Sequence, residues 1–221
     1  MMQQMDLERA RFNMVEQQIR PWEVLDQRVL DLLFQVHRED YVPEAYRALA
    51  FVDMEIPLGH GESMLSPKLE ARILQELAIK PTDQILEVGT GSGYMTALLA
   101  TSGRHVYSVD ILPEFARSAA AKLAAHGVSN VSLETGDAAR GWDKHAPYDV
   151  IVLTGSLPML IETFPRALQP GGRLLAVVGE PPVMEAQLIT CVSHGVWNTR
   201  SLFETCIPPL KNAMRPQRFV F

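Results

Sequence analysis

The chain is poor in cysteine, short of positive charge and free of long apolar runs. Of its 221 residues only Cys191 and Cys206 carry thiols. They show no C-x-x-C spacing, so neither a zinc ribbon nor a redox pair is indicated, and reduced thiols are the simple reading. No stretch reaches the roughly 18 consecutive apolar residues of a membrane helix. The start, Met1-Met2-Gln3-Gln4-Met5-Asp6, lacks the apolar centre of a secretion signal. Together these absences lead us to expect a soluble cytoplasmic protein with no membrane partner. Lys and Arg number 20 against 26 Asp and Glu, for a net charge of −6. Nucleic-acid binding ordinarily needs a basic face, so no nucleic acid is expected as a partner. The six histidines (His37, His60, His105, His126, His145 and His194) fall into no ligand spacing, and His60-x-Glu62 is too little for a site. No metal is expected. Ser-His-Asp and Cys-His arrangements are missing too, as are repeats, charge runs and low-complexity segments.

What the chain does have is a 47% share of hydrophobic residues, enough for a full core, and one distinctive stretch. Gln84 to Tyr94 reads as a buried strand entering a glycine-rich turn, with a helix from Tyr94 to about Thr101. Ile85, Leu86 and Val88 form the short apolar run of a parallel strand covered on both faces. Gly89, Gly91 and Gly93 allow a sharp turn and close approach of a ligand to the backbone. The helix start behind them favours negative charge. Asp110 ends the next apolar strand, about 20 residues after Gly89, where an acid can accept hydrogen bonds from both hydroxyls of a ribose. Dinucleotide folds usually show G-x-G-x-x-G. Here the order is G-x-G-x-G, with Glu87 two residues ahead. That E-x-G-x-G-x-G pattern resembles the first motif of the Rossmann-like S-adenosylmethionine (SAM) methyltransferases. NAD binding and a turn that is tight merely for packing remain as alternatives.

Around this stretch the chain reads in order. Residues 7–50 look helical, with Phe12, Val15 and Ile19 on one face, a break at Pro21, and Asp26 capping a helix that carries Val29, Leu32, Leu33 and Val36. Pro43 opens a short third helix with Tyr46 and Leu49. Residues 51–67 are expected to form a loop, long enough to be functional. Ser66-Pro67 then starts a helix whose buried stripe is Leu69, Ile73 and Leu77. Beyond the glycine turn, strands at about 104–109, 131–134, 148–153 and 173–178 alternate with helices at about 113–126 and 159–168. This is the pattern of an α/β, doubly wound, mostly parallel sheet with ligands at the strands' carboxyl ends. The tail, 183–193 and 196–207, reads as an antiparallel hairpin, and Arg218 to Phe221 as a further strand or a segment packed on the sheet.

A more specific resemblance runs from about Met14 to Gly179. It is carried by Met14-Val15 with Gln18-Ile19, Arg38-Glu39, Tyr41-Val42-Pro43, and Pro57-Leu58-Gly59-His60-Gly61. Leu86 to Tyr94, Asn130-Val131, Gly136-Asp137, Tyr148-Asp149-Val150-Ile151 and Pro170-Gly171-Gly172-Arg173-Leu174 complete it. The chain resembles the protein-L-isoaspartate O-methyltransferases. The turn is shared widely among methyltransferases; the N-terminal pieces and the loop are more specific. The resemblance implies one methyltransferase domain over 1–221, with a helical lid at 1–50, a substrate loop at 51–67, a SAM-binding core at 68–180 and a β extension at 181–221.

It also implies site residues. Glu87, Gly89, Thr90, Gly91, Ser92 and Gly93 would hold the methionine part of SAM, Glu87 acting indirectly. Asp110 and Ile111 would hold the ribose, and Asp137 and Ala138 would lie by the adenine. After the loop glycine the family carries Gln-Thr-Ile-Ser, one residue, then Pro. Here Glu62-Ser63-Met64-Leu65 precede Ser66-Pro67. Ser63 stands for the threonine, and Leu65 falls where the family has the serine implicated in the reaction. Ser66 comes one position late. Ser63 and Ser66 are therefore the candidate catalytic hydroxyls, Ser66 reading more readily as a helix N-cap than as a catalyst. Glu62 replaces a neutral glutamine; facing an isoaspartyl carboxylate at 4 Å it would cost about 4 kcal/mol at an effective dielectric of 20.

The expected activity is SAM-dependent methylation of a carboxylate in a protein or peptide carrying isoaspartate. Glu62 and Leu65 keep open a different, small acceptor, or SAM binding without isoaspartyl activity. A carboxylate is already ionised at neutral pH, so the enzyme needs alignment and exclusion of water more than a base.

Overall fold

The computed structural model describes residues 2–216. The strand expected at Arg218 to Phe221 lies outside the described residues. Two sheets form. The larger has seven strands in the order β5-β4-β3-β6-β7-β8-β9. These are β3 (Gln84–Val88), β4 (His105–Asp110), β5 (Val131–Thr135), β6 (Tyr148–Leu153), β7 (Leu168–Glu180), β8 (Val183–Ser193) and β9 (Val196–Thr205). The first five run parallel, and β8 and β9 are added by antiparallel pairing, which is the doubly wound, mostly parallel Rossmann-like arrangement with a C-terminal hairpin. The chain leaves β3 for β4 and β5 on one side, then returns to β6 on the other. The crevice at that reversal, outside the carboxyl ends of β3 and β6, is where such sheets take ligands.

Side-chain alternation along the strands builds two cores. Ile85 of β3 packs with α1 (Met2–Met14), α2 (Gln27–Gln35), α3 (Pro67–Leu77), α4 (Tyr94–Ser102) and α5 (Pro113–Ala125). Leu86 and Val88 face the opposite side, where Phe164 of α6 (Thr163–Arg166), Tyr148, Leu157 and Ile189 close the second core. Both faces of β3 are thus covered, as its near-continuous apolar run requires. Each such aliphatic side chain contributes about 1.5–3 kcal/mol by leaving water. The α3 stripe of Leu69, Ile73 and Leu77 is buried as its spacing predicts. Asp26 caps α2 through its side chain to the Arg28 N–H at 3.0 Å.

Four stretches differ from the sequence expectation. Of the expected face Val15 and Ile19 are buried, but Phe12 is 54% exposed and Arg11 and Met14 are buried in its place. A π-helical turn at Val15–Ile19 inserts an extra residue and rotates the face that the simple 3.6 spacing assigns to Phe12. The segment opened by Pro43 is a 3₁₀ turn, Glu44–Leu49, with no fully buried residue. Residues 51–67 are not an open loop: β1 (Ile56–Gly59) and β2 (Glu62–Met64) pair as an antiparallel hairpin. Its corner, His60-Gly61, has φ of +56° and +79°, the left-handed pair that a tight hairpin turn demands. The helix expected at 159–168 shrinks to Thr163–Arg166. Ser156 and Leu157 are taken by β-bridges to Pro209 and Val178, Pro158 and Pro165 offer no N–H, and Leu168 already pairs with Tyr148. From there β7 runs through the Pro170-Gly171-Gly172 turn as a bulge, pairing Leu168 with Tyr148 and Arg173 with Val150.

Candidate active site

The glycine turn is fixed from below by side chains of three strands. Glu87 is fully buried on the α4 side of β3 and accepts hydrogen bonds from Thr96 and, at 2.6 Å, from Ser108. The Ser108 hydroxyl lies 2.6 Å from that of Thr90 inside the turn. Glu87 therefore reaches the turn through Ser108 and Thr90. Burial pushes its carboxyl up to about 8, the Ser108 and Thr96 hydroxyls pulling only partly against this. Burial thus favours its neutral, protonated form. From β6, the Thr154 hydroxyl sits between the carbonyls of Gly89, at 2.7 Å, and Val88, at 3.0 Å. A Cβ on Gly89, whose φ is +99°, would fall 2.2 Å from that hydroxyl. Gly93, with φ of +84°, brings the start of α4 so close to α5 that a Cβ would meet that of Ala119 at 2.9 Å. These two glycines are required by approach as well as by backbone conformation.

Asp110 closes β4 at the rim. One carboxylate oxygen accepts the Gly91 N–H and the other the Leu112 N–H, both at 2.9 Å. Each oxygen keeps a further lone pair for a ligand hydroxyl. Burial pushes its carboxyl up from the ordinary range, and the Gly91 and Leu112 N–H groups oppose that. Asp137, after β5, is exposed and accepts from the Ala139 N–H at 3.1 Å and from the Asn212 side chain at 2.9 Å.

These residues surround a single open cleft. Gly89, Gly91, Asp110, Ile111, Asp137 and Ala138 line it, and Thr90 and Ser92 line a smaller hollow continuous with it at Gly89 and Gly91. Glu87 and Gly93 lie behind the turn rather than on the cleft. Ser63 lines both spaces, its hydroxyl donating to Glu55 at 2.9 Å. Ser66 lines neither. It occupies the N-cap position of α3 without a side-chain cap bond, its carbonyl accepting from the Leu69 and Glu70 N–H groups. Leu65 is buried and faces the cleft.

Several lining residues carried no signal in the sequence reading. Leu112 and Phe115 form an apolar wall at the start of α5; Leu58, from the stretch that the sequence does mark, reaches over from the hairpin. Thr154 was findable, since the end of β6 borders the reversal point. Pro208, Leu210 and Lys211 come from the far end of the chain and could not be placed from local pattern. Lys211 forms an ion pair with Glu62 and donates to the His60 carbonyl at 3.2 Å. The acid that departs from the expected glutamine is therefore matched by a cation. Among the described residues no cluster of three or more His, Cys, Asp or Glu is placed to hold a metal, and no helix is long and apolar enough to cross a membrane. Both cysteines are free, Cys191 buried and Cys206 exposed.

The site fits an adenosyl ligand on its own geometry. It has a side-chain-free glycine rim, a two-oxygen acceptor at the end of β4 and an apolar wall beside it. Known proteins agree. A family model described as protein-L-isoaspartate(D-aspartate) O-methyltransferase matches residues 9–205. The protein-L-isoaspartate O-methyltransferase 2 of Syntrophobacter fumaroxidans is 37% identical over 187 residues, covering 84% of this chain and 76% of that one. The protein-L-isoaspartate O-methyltransferase of Aeropyrum pernix is 36% identical over 205 residues, covering 91% and 79%. A crystal structure from Plasmodium falciparum, described as this type of enzyme in complex with S-adenosyl-L-homocysteine, superposes with a TM-score of 0.78. It covers 92% of this chain and 97% of that one at 20% identity, so that likeness is one of fold. With nearly its whole length matched by the family model and by relatives above a third identical, this chain belongs to the protein-L-isoaspartate(D-aspartate) O-methyltransferase family.

Proposed function

We propose that this chain is a SAM-dependent O-methyltransferase that esterifies the free carboxylate of an isoaspartyl residue in damaged protein or peptide. One observation carries the reading: the hairpin β1–β2 and the residue that follows it bring Leu58, Ser63 and Leu65 to the same cleft as the glycine turn and Asp110. The residues read as acceptor-side and those read as cofactor-side thus line one cleft.

When bound, SAM supplies an electrophilic methyl group on a sulfonium. Asp110 accepts from ribose hydroxyls with the lone pairs left free by Gly91 and Leu112. Leu112, Phe115 and Ala138 give the base an apolar seat, with Asp137 at its edge. Gly89 and Gly91 let the backbone approach the methionine part. On the acceptor side Ser63 is the hydroxyl that the hairpin brings to the cleft, and it exchanges its bond to Glu55 for one to the incoming carboxylate. No base is needed, because a carboxylate with a pKa near 4 is already ionised at neutral pH. Leu58, Leu65 and Leu210 exclude water from the line of transfer.

The test is transfer of labelled methyl from SAM to a synthetic isoaspartyl peptide, beside the same peptide with ordinary aspartate. A base-labile ester on the first alone is expected. Equal labelling of both, or of neither, removes the reading.

A further inference from the structure

The hairpin and the C-terminal segment approach the cleft from opposite ends of the chain, and Glu62 and Lys211 join them across its mouth. The pair is only partly shielded, with side chains 27% and 37% exposed, and such pairs add little to folding. Nor is Lys211 needed to attach its segment. The Ser156 N–H donates to the Pro208 carbonyl and the Leu210 N–H to the Ser156 carbonyl, each at 2.9 Å. The pair's remaining effect is on the charge of the cleft. Glu62 and Asp110 line the same space, and behind burial the Glu62 charge adds to the upward push on the Asp110 carboxyl. Without a counter-ion, Glu62 would present a bare negative charge to anything entering.

We propose that Lys211 is a specificity-determining positioning residue, which neutralises Glu62 at the cleft mouth so that a carboxylate acceptor can enter beside that acid. This rests on the carboxylate acceptor proposed above. It also has a consequence independent of any acceptor. A bare Glu62 favours the cationic sulfonium of SAM over the neutral thioether of S-adenosylhomocysteine, so removing Lys211 shifts the ratio of their affinities.

The experiment compares wild type, Lys211→Met, Glu62→Gln and the double variant. Calorimetry gives the affinities for SAM and S-adenosylhomocysteine, and kinetics with the isoaspartyl peptide are run at about 20 mM and about 300 mM salt. For Lys211→Met we expect KM for the peptide to rise about tenfold at low salt and less at high salt, the change falling on KM rather than kcat. The affinity ratio moves several-fold toward SAM. Adding Glu62→Gln returns both to near wild type. An unchanged ratio and KM in Lys211→Met overturns the proposal, as does a double variant no better than Lys211→Met, which marks a purely structural role. If the wild-type enzyme makes no ester, the acceptor reading fails by itself, and the affinity ratio still decides whether Lys211 neutralises Glu62.

Discussion

Arg38 donates from one guanidinium nitrogen to the Leu65 carbonyl at 2.6 Å, joining the N-terminal helices to the foot of the β1–β2 hairpin. The same buried guanidinium pairs with Glu70 and donates to the Ala50 carbonyl at 2.9 Å. Nearby, Arg11 and Glu39 form a second buried pair. Arg38→Met removes three bonds and leaves Glu70 buried alone. Burial already pushes that carboxyl up to about 7 against the pull of Arg38. We expect a loss of about 3–5 kcal/mol in denaturant unfolding. Arg38→Lys, which keeps the charge without the fork, falls between. A loss below about 1 kcal/mol in Arg38→Met would show that the hairpin is anchored elsewhere.

Gly89→Ala tests the turn. The new Cβ meets the Thr154 hydroxyl at 2.2 Å and holds a φ of +99° that alanine resists. Strain of about 1–3 kcal/mol lowers S-adenosylhomocysteine affinity by about 10–100-fold. Adding Thr154→Ala relieves the collision but not the backbone conformation, so recovery is partial. Full affinity in the single variant contradicts the geometry.

Glu87 makes stability depend on pH. Its carboxyl stands near 8 in the fold against an ordinary 4.5, so between those values the folded state holds a proton that the unfolded chain has lost. Its contribution is complete below about 4.5 and disappears as pH rises through about 8. Glu70 adds a slope of the same sign. We expect the wild-type Tm to fall between about pH 6 and about pH 8.5, and Glu87→Gln to fall less, because the amide cannot ionise. Parallel slopes for the two proteins contradict a protonated Glu87.

The two serines separate by position. Ser63→Ala removes a hydroxyl that lines the cleft and is expected to lower kcat with the isoaspartyl peptide about 10-fold or more. Ser66→Ala removes one that makes no cap bond and lines no part of the cleft, and is expected to change activity less than about twofold and stability by under about 0.5 kcal/mol. Reversed effects, read from steady-state rates, would move the acceptor site to the start of α3.

How much of this was legible beforehand follows from how far each contact reaches along the chain. The strands β3, β4 and β6 stood out because burial on the sheet demands local apolar runs, the half-buried edge strand β5 because Val131 and Leu133 alternate with polar residues, and the glycine turn because its backbone admits little else. The role of Glu87 beneath the turn was visible as an indirect one, though its partners Ser108 and Thr96 were not. The π-helical turn escaped because one inserted residue leaves composition unchanged while moving Phe12 outward. The hairpin escaped because its strands are short and Pro57 interrupts the first, leaving His60-Gly61 as the sole turn signal. The helix expected after β6 gave way to bridges with Pro209 and Val178, which are remote in sequence. Lys211 was beyond reach for the same reason: its partner Glu62 lies 149 residues away.

The central claim is that Asp110 and the glycine turn hold the sugar of an adenosyl ligand. Titration of S-adenosylhomocysteine into wild type and Asp110→Ala, by calorimetry with folding checked by circular dichroism, tests it most directly. The account predicts saturable binding to the wild type and a loss of about a hundredfold or more in the variant. Equal affinities, or no heat from the folded wild type, would contradict it.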